Sequence, residues 1–183
     1  MNKMKVCFTS DLHFGHKNII QYDQRPVSSV DEMDAALIER WNRKVSQEDL
    51  VYILGDISWY GPHKTYEIFQ DLHGRKRLIT GNHDKLNDRL KSLFEKIESY
   101  DEIKVDGNTV VMCHYPICFY NKHHHGAIML YGHIHNSEED VYMDKIKDFL
   151  NCQNMHCEMY NVGCMHWDYE PVTLQEITGS EEE

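Results

Sequence analysis

Short apolar stretches alternate with amphipathic stretches through the first half of the chain. Three of the apolar stretches have the length of buried strands, at residues 5–10, 50–54 and 77–80. The amphipathic stretches repeat their apolar residues at helical spacing, and they predict helices beginning after Ser29 and near residues 66–72 and 86–94. The first helix is the clearest, because Ser29 and Glu32 form the capping-box pattern that starts a helix.

The second half of the chain is richer in predicted strands. Predicted strands and β-like pieces lie at residues 97–105, 109–113, 127–131, 160–162 and 171–174. A turn at residues 106–108 joins the first two as a hairpin, and a solvated acidic tail is expected from about residue 178. The whole pattern predicts a mixed α/β fold with helices packed outside sheet layers, in a single domain over residues 1–183.

Composition and charge limit the classes of protein to which this chain can belong. The chain has 183 residues, of which 41% are hydrophobic and 27% charged, as is usual for a soluble globular protein. No apolar run approaches the 18 or so residues that span a membrane, and the first apolar run is too short for a signal peptide. We therefore expect a cytoplasmic protein whose six cysteines are reduced thiols. The net charge of -11 disfavours binding to nucleic acid or an anionic membrane, but not to a small phosphorylated substrate.

Five of the predicted strands are followed at once by residues that can bind metals. These residues are Asp11, His13, Asp56, Asn82, His83, Asp84, His114, His133 and His135. In extended backbone, residues i and i+2 project to the same side, so Asp11 and His13 point together. Imidazole, carboxylate and carboxamide groups suit Mn²⁺, Fe or Zn²⁺ better than Ca²⁺. The alternative to metal binding is a purely structural role for residues 81–84, as a turn followed by a helix cap at Asp84. That alternative leaves His83 without a role.

In this order and spacing, the motifs Asp11-x-His13, Gly55-Asp56, Gly81-Asn82-His83-Asp84, His114 and Gly132-His133-x-His135 resemble the calcineurin-like metallophosphoesterase superfamily. The resemblance covers residues 5–135, and the tail resembles small bacterial and phage members. It implies a four-layer α/β/β/α sandwich of two mixed sheets flanked by helices, with two divalent metal ions at the C-terminal ends of the strands. The implied ligands are Asp11, His13 and His135 for one metal, Asn82, His114 and His133 for the other, and Asp56 for both.

The same resemblance implies a reaction. Two metal ions would hold a bridging hydroxide that attacks a phosphate mono- or diester, with Mn²⁺ the metal favoured in vitro. We expect His83 to protonate the leaving oxygen, or to bind phosphate, and Asp84 to orient His83. Gly55-Asp56 continues as Ile57-Ser58 and lacks the Asp-Arg-Gly continuation seen in protein serine/threonine phosphatases. Two alternatives stay open: a catalytically silent, metal-bound scaffold for other proteins, and a nuclease.

Several further residues are weaker candidates. His16 is expected to line the same crevice, and Arg25 and Tyr115 are candidates for contact with phosphate. We expect His123, His124 and His125 to form a solvated loop. A separate zinc site built from the Cys and His residues of the tail is disfavoured, because their spacing matches no paired-cysteine pattern. No motif indicates an oligomeric state.

Overall fold

Two β-sheets face each other in the centre of the protein. The computed structural model describes residues 4–180, and nine strands lie within this range. In chain order they are β1 (Val6–Thr9), β2 (Leu50–Ile53), β3 (Arg75–Ile79), β4 (Lys96–Glu98), β5 (Tyr100–Val105), β6 (Asn108–Cys113), β7 (Ile128–Tyr131), β8 (Glu158–Asn161) and β9 (Val172–Thr173). Residues 181–183, the end of the expected acidic tail, lie outside the described residues.

Both sheets contain parallel and antiparallel pairs. The first sheet has the strand order β4-β3-β2-β1-β9; its strands β1 to β4 are parallel, and β9 is antiparallel to β1. The second sheet has the order β5-β6-β7-β8, with the hairpin pair β5 and β6 antiparallel and the remaining pairs parallel. Each sheet is therefore mixed, as the resemblance implies.

The helices are, in chain order, α1 (Ile19–Tyr22), α2 (Val30–Lys44), α3 (Pro62–Asp71), α4 (Asp88–Lys91), α5 (Glu138–Cys152) and α6 (Leu174–Thr178). The helices α2, α3 and α5 lie on the outer faces of the sheets, whereas α6 packs at the layer between the sheets through Leu174 and Ile177. Two 3-10 turns occupy His123–His125 and Cys164–His166. Among residues 4–180, no helix combines the length and the apolar character needed to cross a membrane.

Alternate strand residues enter different cores, because successive side chains of a strand point to opposite faces. Phe8 and Tyr52 belong to the apolar layer between the two sheets, whereas Cys7 and Val51 pack against the side chains of α2 and α3. On the far side of the second sheet, Met143 of α5 belongs to a third core with the outer residues of β6 and β7. The order of layers is therefore helix, sheet, sheet, helix, and the predicted α/β/β/α sandwich is confirmed.

Three local predictions need correction. The helix expected at residues 86–94 is the single turn α4, which is capped by Asn87 and not by Asp84. The strand expected at residues 97–105 is two strands, β4 and β5, which belong to different sheets. The longer helix α5 was not predicted, because apolar residues occur on both its buried and its exposed faces and hide the helical period.

Candidate metal centre

The metal-ligand candidates come together where strands of both sheets end. Asp11 and His13 follow β1, and their backbone N–H groups donate to the carbonyl oxygens of Gly55 and Asp56 after β2, at 3.1 and 3.0 Å. The backbone N–H of His133, which follows β7 of the other sheet, donates to Asp11 Oδ2 at 3.0 Å. The first two hydrogen bonds join the loops after β1 and β2, and the third joins the loops of the two sheets. The predicted gathering of the strand ends is therefore observed.

Asp11, His13 and His135 form the first group of candidate ligands. One ligand atom from each lies within 4.8 Å of the other two. His13 Nε2 is 3.3 Å from His135 Nε2, and His135 Nε2 is 3.6 Å from Asp11 Oδ1. Asp11 is fully buried, and its Oδ1 has no hydrogen-bond partner in the part of the chain that the structure describes. A buried carboxylate oxygen without a partner is costly, and a bound cation would satisfy it.

Asp56, Asn82 and His114 form the second group. His114 Nε2 lies 3.0 Å from Asn82 Oδ1 and 3.6 Å from Asp56 Oδ2. The other ring nitrogen of His114, Nδ1, is 2.7 Å from the carbonyl oxygen of Leu54. A carbonyl only accepts, so Nδ1 carries the proton and Nε2 keeps its lone pair for a metal. The ring of His133 lies 5.0 Å from that of His114 and completes this side.

Asp56 lies between His13 of the first group and His114 of its own group. Its Oδ2 is 3.6 Å from His13 Nε2 and 3.6 Å from His114 Nε2. Asp11 also has a ligand atom within 4.8 Å of ligand atoms of Asp56 and His114. The donor set of nitrogens and oxygens therefore fits two divalent ions that share a carboxylate, as the resemblance implies.

Burial controls the protonation of these groups. Burial, with a smaller contribution from the neighbouring His135, lowers the pKa of His13 to about 2. Burial also lowers the pKa of His133. These imidazoles are therefore neutral near pH 7, which is the form that binds metals. Burial raises the pKa of the Asp11 carboxyl group, and a cation beside it would favour the ionised form.

Five of the seven candidate ligands have left-handed backbone conformations. Their φ angles lie between 51° and 72°, and they are Asp11, His13, Asp56, His133 and His135. Non-glycine residues seldom adopt this region, which costs free energy. The inter-loop hydrogen bonds hold the backbone there and thereby direct the side chains inward.

Close packing of the loops depends on glycine. A Cβ atom at Gly81 would lie 2.3 Å from Asp56 Oδ1 and 3.0 Å from His114 Cε1, and one at Gly132 would lie 2.4 Å from Asp11 Oδ2. The glycines therefore leave room for the carboxylates at these positions.

Asp23 belongs to the site, although the sequence motifs did not predict it. His135 Nδ1 lies 2.9 Å from Asp23 Oδ1, which directs His135 Nε2 toward Asp11. Burial opposes ionisation of Asp23, but the hydrogen bond from His135 and the charge of Arg25 lower its pKa overall. Burial also lowers the pKa of His135, yet the hydrogen bond to Asp23 and the charge of Asp11 raise it above its ordinary value.

Arg25 does not reach the cleft, contrary to the expectation of a phosphate contact. Its side chain is buried, pairs with Asp23 at 2.9 Å and donates to the carbonyl oxygens of Leu12 and Asp11 at 2.8 and 2.9 Å. Three acceptors within the protein already occupy the guanidinium. Arg25 thus stabilises the loop after β1 through hydrogen bonds to its backbone carbonyl oxygens.

Asp84 also differs from expectation. Its carboxylate accepts hydrogen bonds from the backbone N–H groups of Gly81, Ile57 and Asp56, at 2.7, 2.8 and 3.2 Å. It therefore fastens the loop after β3 to the loop after β2, and it does not orient the His83 ring. The His83 backbone N–H donates to Asp56 Oδ1 at 2.9 Å.

His83 and His16 line an open cleft of about 620 Å³ beside the ligands. The His83 ring centroid lies 5.9 Å from that of His13 and 4.7 Å from that of Trp59. Tyr115 is half exposed and contacts His133, with ring centroids 4.5 Å apart. His16 is placed in the cleft as expected, Tyr115 lies beside the ligands, and Trp59 is a cleft residue that sequence reasoning missed.

Among the residues that the structure describes, the remaining His and Cys residues form no second group of three close ligands. His124 and His125 are exposed as expected, but His123 is buried with Nδ1 4.0 Å from Cys157 Sγ. Over residues 4–180, three His, Cys, Asp or Glu ligand atoms lie within 4.8 Å of one another only at the centre described above, in the sets Asp11, His13 and His135, and Asp11, Asp56 and His114. All six cysteines are free thiols.

Comparison with known proteins places the chain in a family. The model of the calcineurin-like phosphoesterase superfamily domain matches residues 4–171. The chain belongs to this superfamily. The recognition made from the motifs is confirmed, and so is the fold, because superfamily members are built on this sandwich.

The similar proteins that were found carry little functional information. An uncharacterised protein of Methanocaldococcus jannaschii is 34% identical over 179 residues, which cover 97% of this chain and 91% of that protein. The Gene 66 protein of Mycobacterium phage L5 is 33% identical over 159 residues. The match covers 70% of this chain and 76% of the phage protein. A solved structure of a protein of unknown function from Aquifex aeolicus superposes with a TM-score of 0.74 at 26% identity, covering 97% of this chain and 99% of the other.

Proposed function

We propose that the protein is a dinuclear-metal-dependent phosphoesterase that hydrolyses a phosphate mono- or diester. The observation that carries the proposal is the position of Asp56, whose Oδ2 is 3.6 Å from a nitrogen of His13 and 3.6 Å from a nitrogen of His114. These histidines come from loops of different sheets. A carboxylate placed equally between them is suited to bridging two ions.

In this proposal the ligands divide as the resemblance implies. Asp56 is shared, one ion is held by Asp11, His13 and His135, and the other is held by Asn82, His114 and His133. When bound, two divalent ions neutralise charge on the phosphoryl oxygens and supply a nucleophile at neutral pH by lowering the pKa of water. The mixed donor set accepts Mn²⁺, Fe or Zn²⁺, and Mn²⁺ is the first to test.

His83 is the proposed general acid. Its ring faces the cleft, while its backbone N–H is fixed to Asp56 Oδ1 at 2.9 Å. This anchor places a ring that can hold a proton beside the shared carboxylate without using the ring as a ligand. We propose that the ring donates this proton to the ester oxygen that leaves, and that Tyr115, beside His133, contacts the phosphoryl group.

Charge favours a small phosphorylated substrate. Two divalent ions carry four positive charges, and Asp11 and Asp56 carry two negative ones. The loaded site would be positive inside a chain with a net charge of -11, so it would attract a phosphate locally. The surrounding negative charge disfavours a long nucleic acid as substrate.

The complete set of candidate ligands favours an enzyme over a catalytically silent scaffold. A cytoplasmic location, which the six free cysteines fit, is part of the proposal.

Metal removal and return tests the proposal. The protein is stripped with a chelator and reloaded with Mn²⁺, and turnover of p-nitrophenyl phosphate and bis-p-nitrophenyl phosphate is compared. We expect Mn²⁺-dependent turnover that Asp56→Asn abolishes, because the variant loses the charge of the shared ligand. His83→Ala should keep two bound ions while turnover falls by roughly 10²- to 10⁴-fold, the usual contribution of a general acid. Asp106→Asn, in an exposed hairpin turn, is the matched control.

Two results would contradict parts of this proposal. Bound metal with no turnover of either compound or of a panel of natural phosphate esters would favour the scaffold. Full turnover by His83→Ala with two bound ions would remove the general-acid role alone.

A further inference from the structure

An exposed aromatic pair lies at the edge of the candidate metal centre. The rings of His16 and Trp59 stack with centroids 4.2 Å apart and an angle of 9° between their planes. Trp59 is 46% exposed, although burying an indole is favourable. Tyr22 of α1 also lines the cleft beside the metal-ligand candidates and is 68% exposed. The cleft thus offers flat aromatic surface to solvent.

The backbone beneath this pair is fixed by hydrogen bonds. The backbone N–H of Trp59 donates to the carbonyl oxygen of Phe14 at 2.8 Å, and Ser58 Oγ donates to the same oxygen at 3.2 Å. Gly15 has a φ of +79°, and a Cβ there would lie 2.5 Å from the ring of Tyr60. The glycine therefore allows the two loops to approach closely, which places His16 against Trp59. The aromatic surface is preorganised.

The pair is continuous with the proposed catalytic residues. The His16 ring centroid is 5.3 Å from that of His13, a candidate ligand. The Trp59 centroid is 4.7 Å from that of His83, which in the proposed function protonates the leaving oxygen. A group attached to that oxygen would therefore lie beside Trp59.

We propose that His16 and Trp59 form a subsite that stacks on a nucleobase, and that the substrate is a small nucleotide whose leaving group carries the base. This proposal deepens the proposed function and rests on it. A nucleobase is the planar ring that is most often joined to a phosphate ester, and bases stack on aromatic side chains whatever their sequence. Asn18 and Asn136, which also line the cleft, supply polar groups for the edge of the base.

A nucleobase could come from a small nucleotide or from a single strand of nucleic acid. The chain has 30 acidic and 19 basic residues, whereas sites for single strands combine aromatic residues with a positively charged groove. Acidic residues also line this cleft, at Asp23 and Glu139. The charge therefore favours the small nucleotide.

Paired inhibitors test the subsite. Adenosine 5′-monophosphate and ribose 5-phosphate share a phosphate and a sugar and differ in the base, and each is measured as a competitor of bis-p-nitrophenyl phosphate turnover. We expect the nucleotide to inhibit roughly 5- to 100-fold more tightly, the range for stacking of one base. Trp59→Leu should bring the two inhibition constants together and leave that of ribose 5-phosphate unchanged, while Trp59→Phe should keep most of the difference. Phe119→Leu, an exposed aromatic residue outside the cleft, should behave as the parent protein.

Other results of the inhibition experiment would contradict either the base-stacking subsite or the choice of a small nucleotide as substrate. Equal inhibition by the two compounds in the parent protein, or a difference that survives in Trp59→Leu, would overturn the subsite. A 12-nucleotide oligoadenylate that inhibits much more tightly than the mononucleotide, through Trp59, would overturn the choice of a small nucleotide.

A binding measurement separates this inference from the proposed function. Saturation-transfer NMR of adenosine with the metal-free protein needs no turnover, and we expect ring-proton signals that weaken in Trp59→Leu and persist in Trp59→Phe. If these signals appear but no phosphate ester is hydrolysed, the proposed function fails and the subsite stands. If esters are hydrolysed but the base changes neither inhibition nor NMR signal, the subsite fails and the function stands.

Discussion

Asp23 links a candidate metal ligand to the body of the protein. It accepts a hydrogen bond from His135 Nδ1 at 2.9 Å and pairs with Arg25, which in turn holds the carbonyl oxygens of Asp11 and Leu12. One buried ion pair thus positions both an imidazole ligand and the loop that carries a carboxylate ligand. Such outer contacts commonly tune metal affinity.

We expect Asp23→Asn to weaken Mn²⁺ binding by roughly 10- to 100-fold, because the neutral amide accepts more weakly from His135 and leaves Arg25 without its counterion. Calorimetric titration of the metal-free protein measures this change. The control is Asp106→Asn, which removes an exposed carboxylate where the backbone has a φ of 48°, a conformation that Asn tolerates well. Parent-like affinity in folded Asp23→Asn would show that Asp23 does not support the site.

The loops after the strands are close enough together that side-chain size matters at particular positions. Gly81 does not have a positive φ, so its backbone would accept alanine, but its Cβ would overlap Asp56. The glycine is therefore required by the approach of the β3 loop to the β2 loop.

Gly81→Ala should accordingly displace Asp56 and reduce both Mn²⁺ binding and turnover at least tenfold. Gly61→Ala is a matched control, because Gly61 also lacks a positive φ and a Cβ there meets nothing within 4 Å. That control should change only stability, by at most about 1 kcal/mol, since Gly61 precedes α3 as its N-cap. Metal titration and turnover of both variants decide the point, and equal behaviour of the two would contradict the steric argument.

Across the whole protein, the candidate site joins the two sheets. Asp11, His13, Asp56 and Asn82 follow strands of the first sheet, and His114, His133 and His135 follow strands of the second. Ions bound there would contact both sheets in the folded protein, and the unfolded chain has no such site. Metal binding should therefore stabilise the fold by mass action.

Free Mn²⁺ at about 100 times its dissociation constant should add about 2.7 kcal/mol to the free energy of unfolding, which corresponds to roughly 5 to 10 °C in Tm. Thermal unfolding with and without a chelator measures this shift. Asp56→Asn should show a much smaller shift, because it lacks the carboxylate shared by the two groups. An equal shift in this variant would place the stabilising ions elsewhere.

Sequence reasoning located the ligand candidates because each directly follows an apolar strand, and such ends meet at one edge of a sheet. It could not find Asp23, whose partner His135 is 112 residues away. For the same reason it assigned Arg25 to the substrate, since an arginine among polar residues does not reveal that three internal acceptors surround it. The division of residues 97–105 between two sheets also depends on long-range packing.

The left-handed backbone of five ligand candidates means that substitutions which remove these ligands can stabilise the fold. Each left-handed residue costs roughly 1 to 2 kcal/mol, and glycine would relieve that cost at any of them while removing a ligand. A library of variants screened for heat resistance alone, in the absence of metal, would thus gain stability by discarding the ligands. A lineage that no longer needed the reaction would be expected to lose Asp11, His13 and their counterparts early, before the sandwich that carries them changed.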